Sequence, residues 1–163
     1  MSLDKCIASF TADDVRAVLF QIMWTLYACQ QTWQGFRIQT SSVSSLFNNI
    51  NVYKYTKPRY FQTYFNSQTY TFRVGTPILP VVLNLNYFAT TLDPKSQLAT
   101  GRPPLDDISD ATDILRMFAA FESSAFDVAR QMLVCKCTPL VHILTSFGDF
   151  SVSPEGGDAM YIV

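Results

Sequence analysis

Asp107-Ile-Ser-Asp-Ala-Thr-Asp-Ile-Leu-Arg-Met-Phe-Ala-Ala-Phe-Glu-Ser-Ser-Ala-Phe-Asp-Val-Ala-Arg-Gln-Met-Leu133 is the most regular stretch of the chain. Ala111, Ile114, Leu115, Phe118, Phe121, Ala125, Val128, Ala129, Met132 and Leu133 recur at steps of three and four, which gathers apolar side chains on one helical face. Asp107 or Ser109 caps the start. The pattern predicts one helix of more than six turns, at ~3.6 residues per turn. Its broad apolar face asks for partners on more than one side, as in the central member of a bundle.

Upstream lies an exposed connection, residues 93–107, stiffened by Pro103 and Pro104. Before it, Thr76 as cap and Pro77 at the first helical position predict a third helix through Val81, Val82, Leu85, Phe88, Ala89 and Leu92, with Pro80 in its first turn. Residues 52–75 differ: Val52, Tyr53, Tyr55, Tyr60, Phe61, Tyr64, Phe65, Tyr70, Phe72 and Val74 favour short strands, broken at Pro58 and at Asn66-Ser67. That patch is expected to be too small for a full sheet layer. Ser41 or Ser42 opens a short second helix with Val43, Leu46, Phe47 and Ile50. Thr11 and Asp14 start the first helix, whose apolar face runs from Val15 through Leu19, Ile22, Met23, Leu26 and Tyr27 to an end near Thr32. After the fourth helix come a short apolar segment, Leu140 to Phe147, and a Gly- and Pro-bearing tail from Gly148. The expected fold is mainly α: an up-down four-helix bundle with a small β or extended aromatic patch at one end. Residues 1–147 form one domain in this reading, and 148–163 a flexible or surface-laid tail.

Charge is segregated. No acidic residue lies between Asp14 and Asp93, where Arg16, Arg37, Lys54, Lys57, Arg59 and Arg73 stand, whereas Asp93, Asp106, Asp107, Asp110, Asp113 and Glu122 follow. The net charge of −1 argues against a dedicated long-range binder of free nucleic acid but leaves local neutralisation of phosphates open. The chain is 48% apolar and 14% aromatic, with mean hydropathy +0.12, which suits an oligomer. No run approaches the ~18 apolar residues of a membrane span, and the start lacks a signal-peptide layout, so an intracellular protein is expected. Cys6, Cys29, Cys135 and Cys137 are expected as free thiols, because one C-x-C pair and a single histidine, His142, do not complete a zinc site. His142 reads as a core or interface imidazole. With no nucleophile–base pair and no phosphate-binding loop, neither enzymatic activity nor a cofactor or metal is expected.

Two groups remain as candidate sites. Asp106, Asp107, Asp110 and Asp113 crowd a helix start, where negative charge is favoured but four carboxylates repel one another. The run Tyr53-Lys-Tyr-Thr-Lys-Pro-Arg-Tyr-Phe61 offers either a stacking platform for single-stranded bases or a lateral packing patch with aromatic centre and basic rim.

The order of elements, together with Phe36-Arg-Ile-Gln-Thr-Ser-Ser-Val43-Ser-Ser-Leu-Phe47, Arg59-Tyr-Phe61, Ile78-Leu-Pro-Val-Val82, Tyr87-Phe88 and Asp110-Ala-Thr-Asp-Ile-Leu-Arg116, resembles the coat proteins of rod-shaped plant RNA viruses, the tobamovirus-like family, over roughly residues 15–134. The resemblance implies a bundle whose third and fourth helices face the rod axis, with single-stranded RNA between successive turns. It places RNA contacts at Arg37, Ser41, Lys95, Arg102, Asp113 and Arg116. Tyr53, Tyr55, Arg59, Tyr60, Phe61, Tyr64 and Phe65 become the subunit interface, and Asp106, Asp107 and Asp110 a repelling carboxylate switch between subunits. The family's arginines after the third helix are here reduced to Lys95 with Arg102 farther on, and its arginine pair before the fourth helix is replaced around Leu105-Asp-Asp107. The implied function is a structural coat protein that forms helical rods or discs of many copies in a virion, assembled in the host cytoplasm. Two alternatives are a non-enzymatic helical interaction module that docks an acidic protein, and a self-assembling shell subunit that has lost RNA binding.

Overall fold

The structure, a computed structural model, describes residues 1–33, 35–38, 45–82, 88–89, 107–153 and 161–163. Its centre is α2 (Ala12–Thr32), preceded by a single-turn helix α1 (Leu3–Cys6) and a 3₁₀ turn, Ile7–Ser9. The Thr11 hydroxyl accepts from the Asp14 N–H at 3.2 Å, and the Asp14 carboxylate accepts from the Thr11 N–H at 3.1 Å. This reciprocal box fixes where α2 begins. Between Val15 and Tyr27 only Arg16 and Thr25 escape burial, so α2 is enclosed on nearly every side. The central helix is therefore the first long one, not the Asp107–Leu133 stretch.

Helical segments and strands share the enclosure of α2, with Pro139–Ser146 and Ile78–Val82 its main neighbours. Strand β1 (Arg37–Ile38) and the short helix α3 (Leu46–Asn49) lead to β2 (Ile50–Lys54), followed by β3 (Arg59–Phe65), β4 (Gln68–Val74), β5 (Ile78–Val82) and β6 (Phe88–Ala89). Strands β3 and β4 form a hairpin whose two turn residues, Asn66 and Ser67, both have positive φ, 49° and 61°. That turn matches the right-handed twist of the flanking strands, and Asn tolerates its left-handed backbone better than most residues. Two-residue strands flank the hairpin: β7 (Ser151–Val152) antiparallel to β4, and β8 (Tyr161–Ile162) parallel to β3. Alternation along β3 sends Arg59, Phe61 and Thr63 inward. Phe61 and Phe72 meet Phe20 of α2 at ring distances of 5.2 and 5.4 Å, and Trp24 meets Phe61 at 5.3 Å. Deleting an aromatic ring from such a centre costs about 3–5 kcal/mol.

The expected up-down four-helix bundle is therefore corrected to a mixed α/β fold, with sheets of two, two and four strands among the described residues. The predicted third helix is replaced over its first turns by β5, antiparallel to β2 in the register Ile50↔Val82 to Lys54↔Ile78. Pro80 falls opposite Val52, whose own N–H turns away from β5 to the Met1 carbonyl at 2.8 Å. This is a non-hydrogen-bonded position of the ladder, so the missing proline N–H costs no bond, and Ile78 and Val81 add β-branched side chains. Residues 83–87 and 90–92 of the predicted third helix, and residues 41–44 of the predicted second, lie outside the described residues.

The predicted fourth helix is broken. Helix α4 (Asp107–Ala119) ends, a 3₁₀ turn covers Ser124–Phe126, and α5 (Asp127–Met132) follows. Ser123 accepts from the Ala125 N–H at 3.2 Å, starting the new segment. The Arg130 guanidinium donates to the carbonyls of Ala119 at 3.1 Å, Ser123 at 2.7 Å and Phe121, absorbing acceptors that a continuing helix would have used. Helix α6 (Pro139–Ser146), capped by Thr138, buries Leu140, His142 and Ile143, while Phe147 just beyond it packs on Phe20 at 5.4 Å. The chain after Gly148 is laid along this core: Phe150 meets Phe20 at 5.4 Å, and Arg16 holds Asp149 and the Ser146 carbonyl. Among the described residues no helix is long and apolar enough to cross a membrane.

Candidate functional site

The aromatic candidates divide by strand parity. Tyr60, Gln62 and Tyr64 point outward from β3, with Arg73, Thr71 and Thr69 beside them on β4 and Ile162 on the flanking strand. Tyr64 is 66% exposed and Phe65, at the hairpin tip, 37%; Tyr53 on β2 is 46% exposed and Tyr55 half-buried. Strand β8 pairs only with Phe61 and Gln62, and β7 only with Thr71 and Phe72. The far end of the hairpin, Tyr64–Phe65 and Gln68–Thr69, therefore has no strand on either outer edge among the described residues.

Arg59 and Phe61 leave this set, because neither reaches the surface. Phe61 is a core residue stacked on Tyr161 at 4.7 Å. Arg59 is fully buried: Nε donates to Gln21 Oε1 at 2.9 Å, and the terminal nitrogens donate to the carbonyls of Thr76 (2.7 Å), Ile78 (3.0 Å) and Tyr55 (3.4 Å). Gln21 in turn donates to Ala17 and Ile78, so one arginine and one glutamine tie α2 to β5 and the hairpin. Burial pushes the Arg59 pKa below its usual value. The inward parity of Arg59 with Phe61 and Thr63 was the signal for this role, masked by the basic residues around it.

The charged candidates are redistributed as well. Arg37 and Asp110 are 2% and 0% exposed and face each other: Nε to Oδ2 at 3.2 Å and a terminal nitrogen to Oδ1 at 3.4 Å. Asp110 Oδ2 also accepts from the Ile38 N–H at 2.9 Å. The pair locks β1 to the first turns of α4, so Arg37 is turned away from any surface phosphate and Asp110 away from an exposed carboxylate cluster. Asp113 is partly buried beside Arg116 at 3.6 Å, and Arg116 is 63% exposed. Asp107 begins α4. Ser41, Lys95, Arg102 and Asp106 lie outside the described residues.

Two further features bear on chemistry. A cavity of about 320 Å³ opens beside α2, lined by Ile22, Leu26, Cys29, Trp33, Phe36 and Ile114 among others. Its Cys29 thiol is pushed up to about 11 by burial and stays protonated at neutral pH. The expectation of four free thiols is also corrected: Cys135 and Cys137 are joined, whereas Cys6 and Cys29 are free. The C-x-C spacing was visible in the sequence, but only the tight turn after α5 brings the two sulfurs together.

Comparison with family models, with curated proteins and with solved structures returns no match.

Proposed function

We propose that the chain is a structural subunit that associates with copies of itself through the aromatic hairpin end and encloses single-stranded RNA in the resulting particle, in a virion formed in the host cytoplasm. One observation carries the self-association. Tyr64 and Phe65 are exposed at a hairpin end whose outer edges have no strand partner among the described residues. Aromatic side chains beside open backbone donors and acceptors form the kind of surface that proteins cover with another chain. Exposed Lys54, Lys57 and Arg73 supply a basic rim, suited to exposed carboxylates of a neighbouring copy such as Asp13 and Glu122. On the RNA side, Arg116 is the contact candidate exposed among the described residues.

A second reading, assembly without RNA, is favoured by the burial of Arg37 against Asp110, which withdraws one phosphate contact. Sedimentation velocity and negative-stain images of the protein, with and without single-stranded RNA, separate the readings. The proposal expects discs or rods whose length grows when RNA is present, and loss of both in the double variant Tyr64→Ser/Phe65→Ser. Particles indifferent to RNA select the second reading. A protein that stays monomeric at near-neutral pH and moderate salt, with RNA added, defeats both.

A further inference from the structure

Residues 133–138 connect α5 to α6 and contain the cysteine pair. The Cα atoms of Cys135 and Cys137 are 5.7 Å apart, inside the span a disulfide bridges, and the two sulfurs are joined. The two ends differ in surroundings. Cys135 is exposed, whereas Cys137 is half-buried. Cys137 also stands immediately before Thr138, whose hydroxyl caps α6 by accepting from the Val141 N–H at 3.4 Å. The residue between the cysteines is Lys136, exposed and cationic.

We propose that Cys135–Cys137 is a site of thiol–disulfide exchange with low-molecular-weight monothiols, in which Cys135 Sγ is the sulfur attacked and Cys137 the leaving thiolate. An incoming thiolate approaches the sulfur that solvent reaches. The S–S bond breaks as the new bond to Cys135 Sγ forms, and its electron pair stays on Cys137 Sγ. A second monothiol thiolate then attacks its own kind in the mixed disulfide, releasing the oxidised dimer of the reagent and the Cys135 thiolate. Two monothiols are thereby oxidised and one protein disulfide reduced, and both cysteine thiolates take up solvent protons according to pH. The leaving step is helped by charge: a thiolate at Cys137 lies beside Lys136 and at the positive end of α6, and a better-stabilised thiolate leaves faster.

Exchange requires no unfolding. Helices α5 and α6 are held independently of the bridge, by Ala129 and Met132 on one side and by Leu140 and Ile143 on the other. The other two thiols are poor competitors. Cys6 and Cys29 are half-buried, and burial pushes both upward, Cys29 to about 11.

Trypsin makes the bond directly readable, because it cuts after Lys136. A denatured but unreduced digest should contain the peptide 131–136 linked to the peptide that begins at Cys137, and reduction should separate them. The folded protein is incubated with reduced glutathione near neutral pH, quenched with an alkylating agent and digested in the same way. The linked species should vanish, with label on Cys135 and Cys137 appearing at least ~10-fold faster than on Cys29. With a limiting pulse of reduced glutathione and an acid quench, the trapped mixed disulfide should lie several-fold more on Cys135 than on Cys137. Lys136→Ala should slow reduction of the pair about two- to threefold. Three results would overturn the proposal: no linked peptides in the unreduced digest, a bridge that yields only after denaturation, or mixed disulfide trapped equally on the two sulfurs.

Discussion

Arg59→Met replaces a fully buried guanidinium with an unbranched apolar side chain at the point where α2, β5 and the β3–β4 hairpin are tied together. The Tyr55 and Thr76 carbonyls and Gln21 Oε1 each lose a donor, while the Ile78 carbonyl keeps the one from Gln21. At about 1 kcal/mol for each orphaned, partly buried acceptor the loss is roughly 3 kcal/mol. Because burial already disfavours the charged guanidinium, its removal offsets part of this, leaving a net cost of about 2–3 kcal/mol. For a chain of 163 residues that is a Tm lower by roughly 5–10 °C. Urea unfolding followed by tryptophan fluorescence suits the measurement, since the indole of Trp24 is buried 5.3 Å from Phe61. Arg59→Lys keeps the charge but loses the planar fork, and falls between wild type and Arg59→Met. If Arg59→Met unfolds within about 0.5 kcal/mol of wild type, the arginine does not hold these elements together and the account fails.

Asp110→Asn removes the carboxylate that faces the buried Arg37 guanidinium, and a loss of about 3–5 kcal/mol is expected in the same urea assay. Replacing both, as Arg37→Met/Asp110→Leu, should recover most of that loss, and a double variant as unstable as the single one would contradict the pairing. His142 is buried with no hydrogen-bond partner for Nε2 among the described residues, and burial holds its pKa below the usual 6.5. The unfolded chain therefore binds the proton more readily: the imidazole's contribution is fully present above pH 6.5 and is lost as pH falls below it. Urea midpoints measured from pH 7.5 down to 5.5 should decline, and His142→Phe should flatten that decline. Arg130→Ala frees the carbonyls of Ala119, Phe121 and Ser123 and should cost about 1–2 kcal/mol. Amide exchange at 120–126 should then rise at least ~10-fold, and unchanged protection there would show that the break between α4 and α5 does not depend on Arg130.

Periodicity and capping made α2 readable, because Thr11, Asp14 and the apolar face are all local signals. The aromatic stretch was readable as extended for the same reason, but the size of its sheet was not. Two of the four strands come from Ser151–Val152 and Tyr161–Ile162, segments too short to register as strands in any local window. Thr76-Pro77 resembles a helix start, and nothing in 76–82 reports that Ile50–Lys54 will be its partner; that pairing is tertiary and overrides the cap. The break near Ser123 was not legible because Phe121 and Ala125 keep a four-residue helical step across it. The candidate site was legible as composition and only partly as position. Tyr53 and Tyr64 are exposed, whereas Arg37, Asp110 and Arg59 are satisfied inside the fold, a placement that their charge does not announce.

The hairpin flanked by β7 and β8 also governs when the fold can close. Strands β3 and β4 meet across a two-residue turn and form early, whereas Thr63 bonds to Val163, a hundred residues later in the chain. Contacts that distant close slowly. Until Ser151–Val152 and Tyr161–Ile162 have been synthesised, both seven-residue strands of the hairpin lack these two edge partners. The same backbone groups that Ser151–Val152 and Tyr161–Ile162 cover in the folded chain are those an edge-to-edge pairing with another copy would use before they arrive.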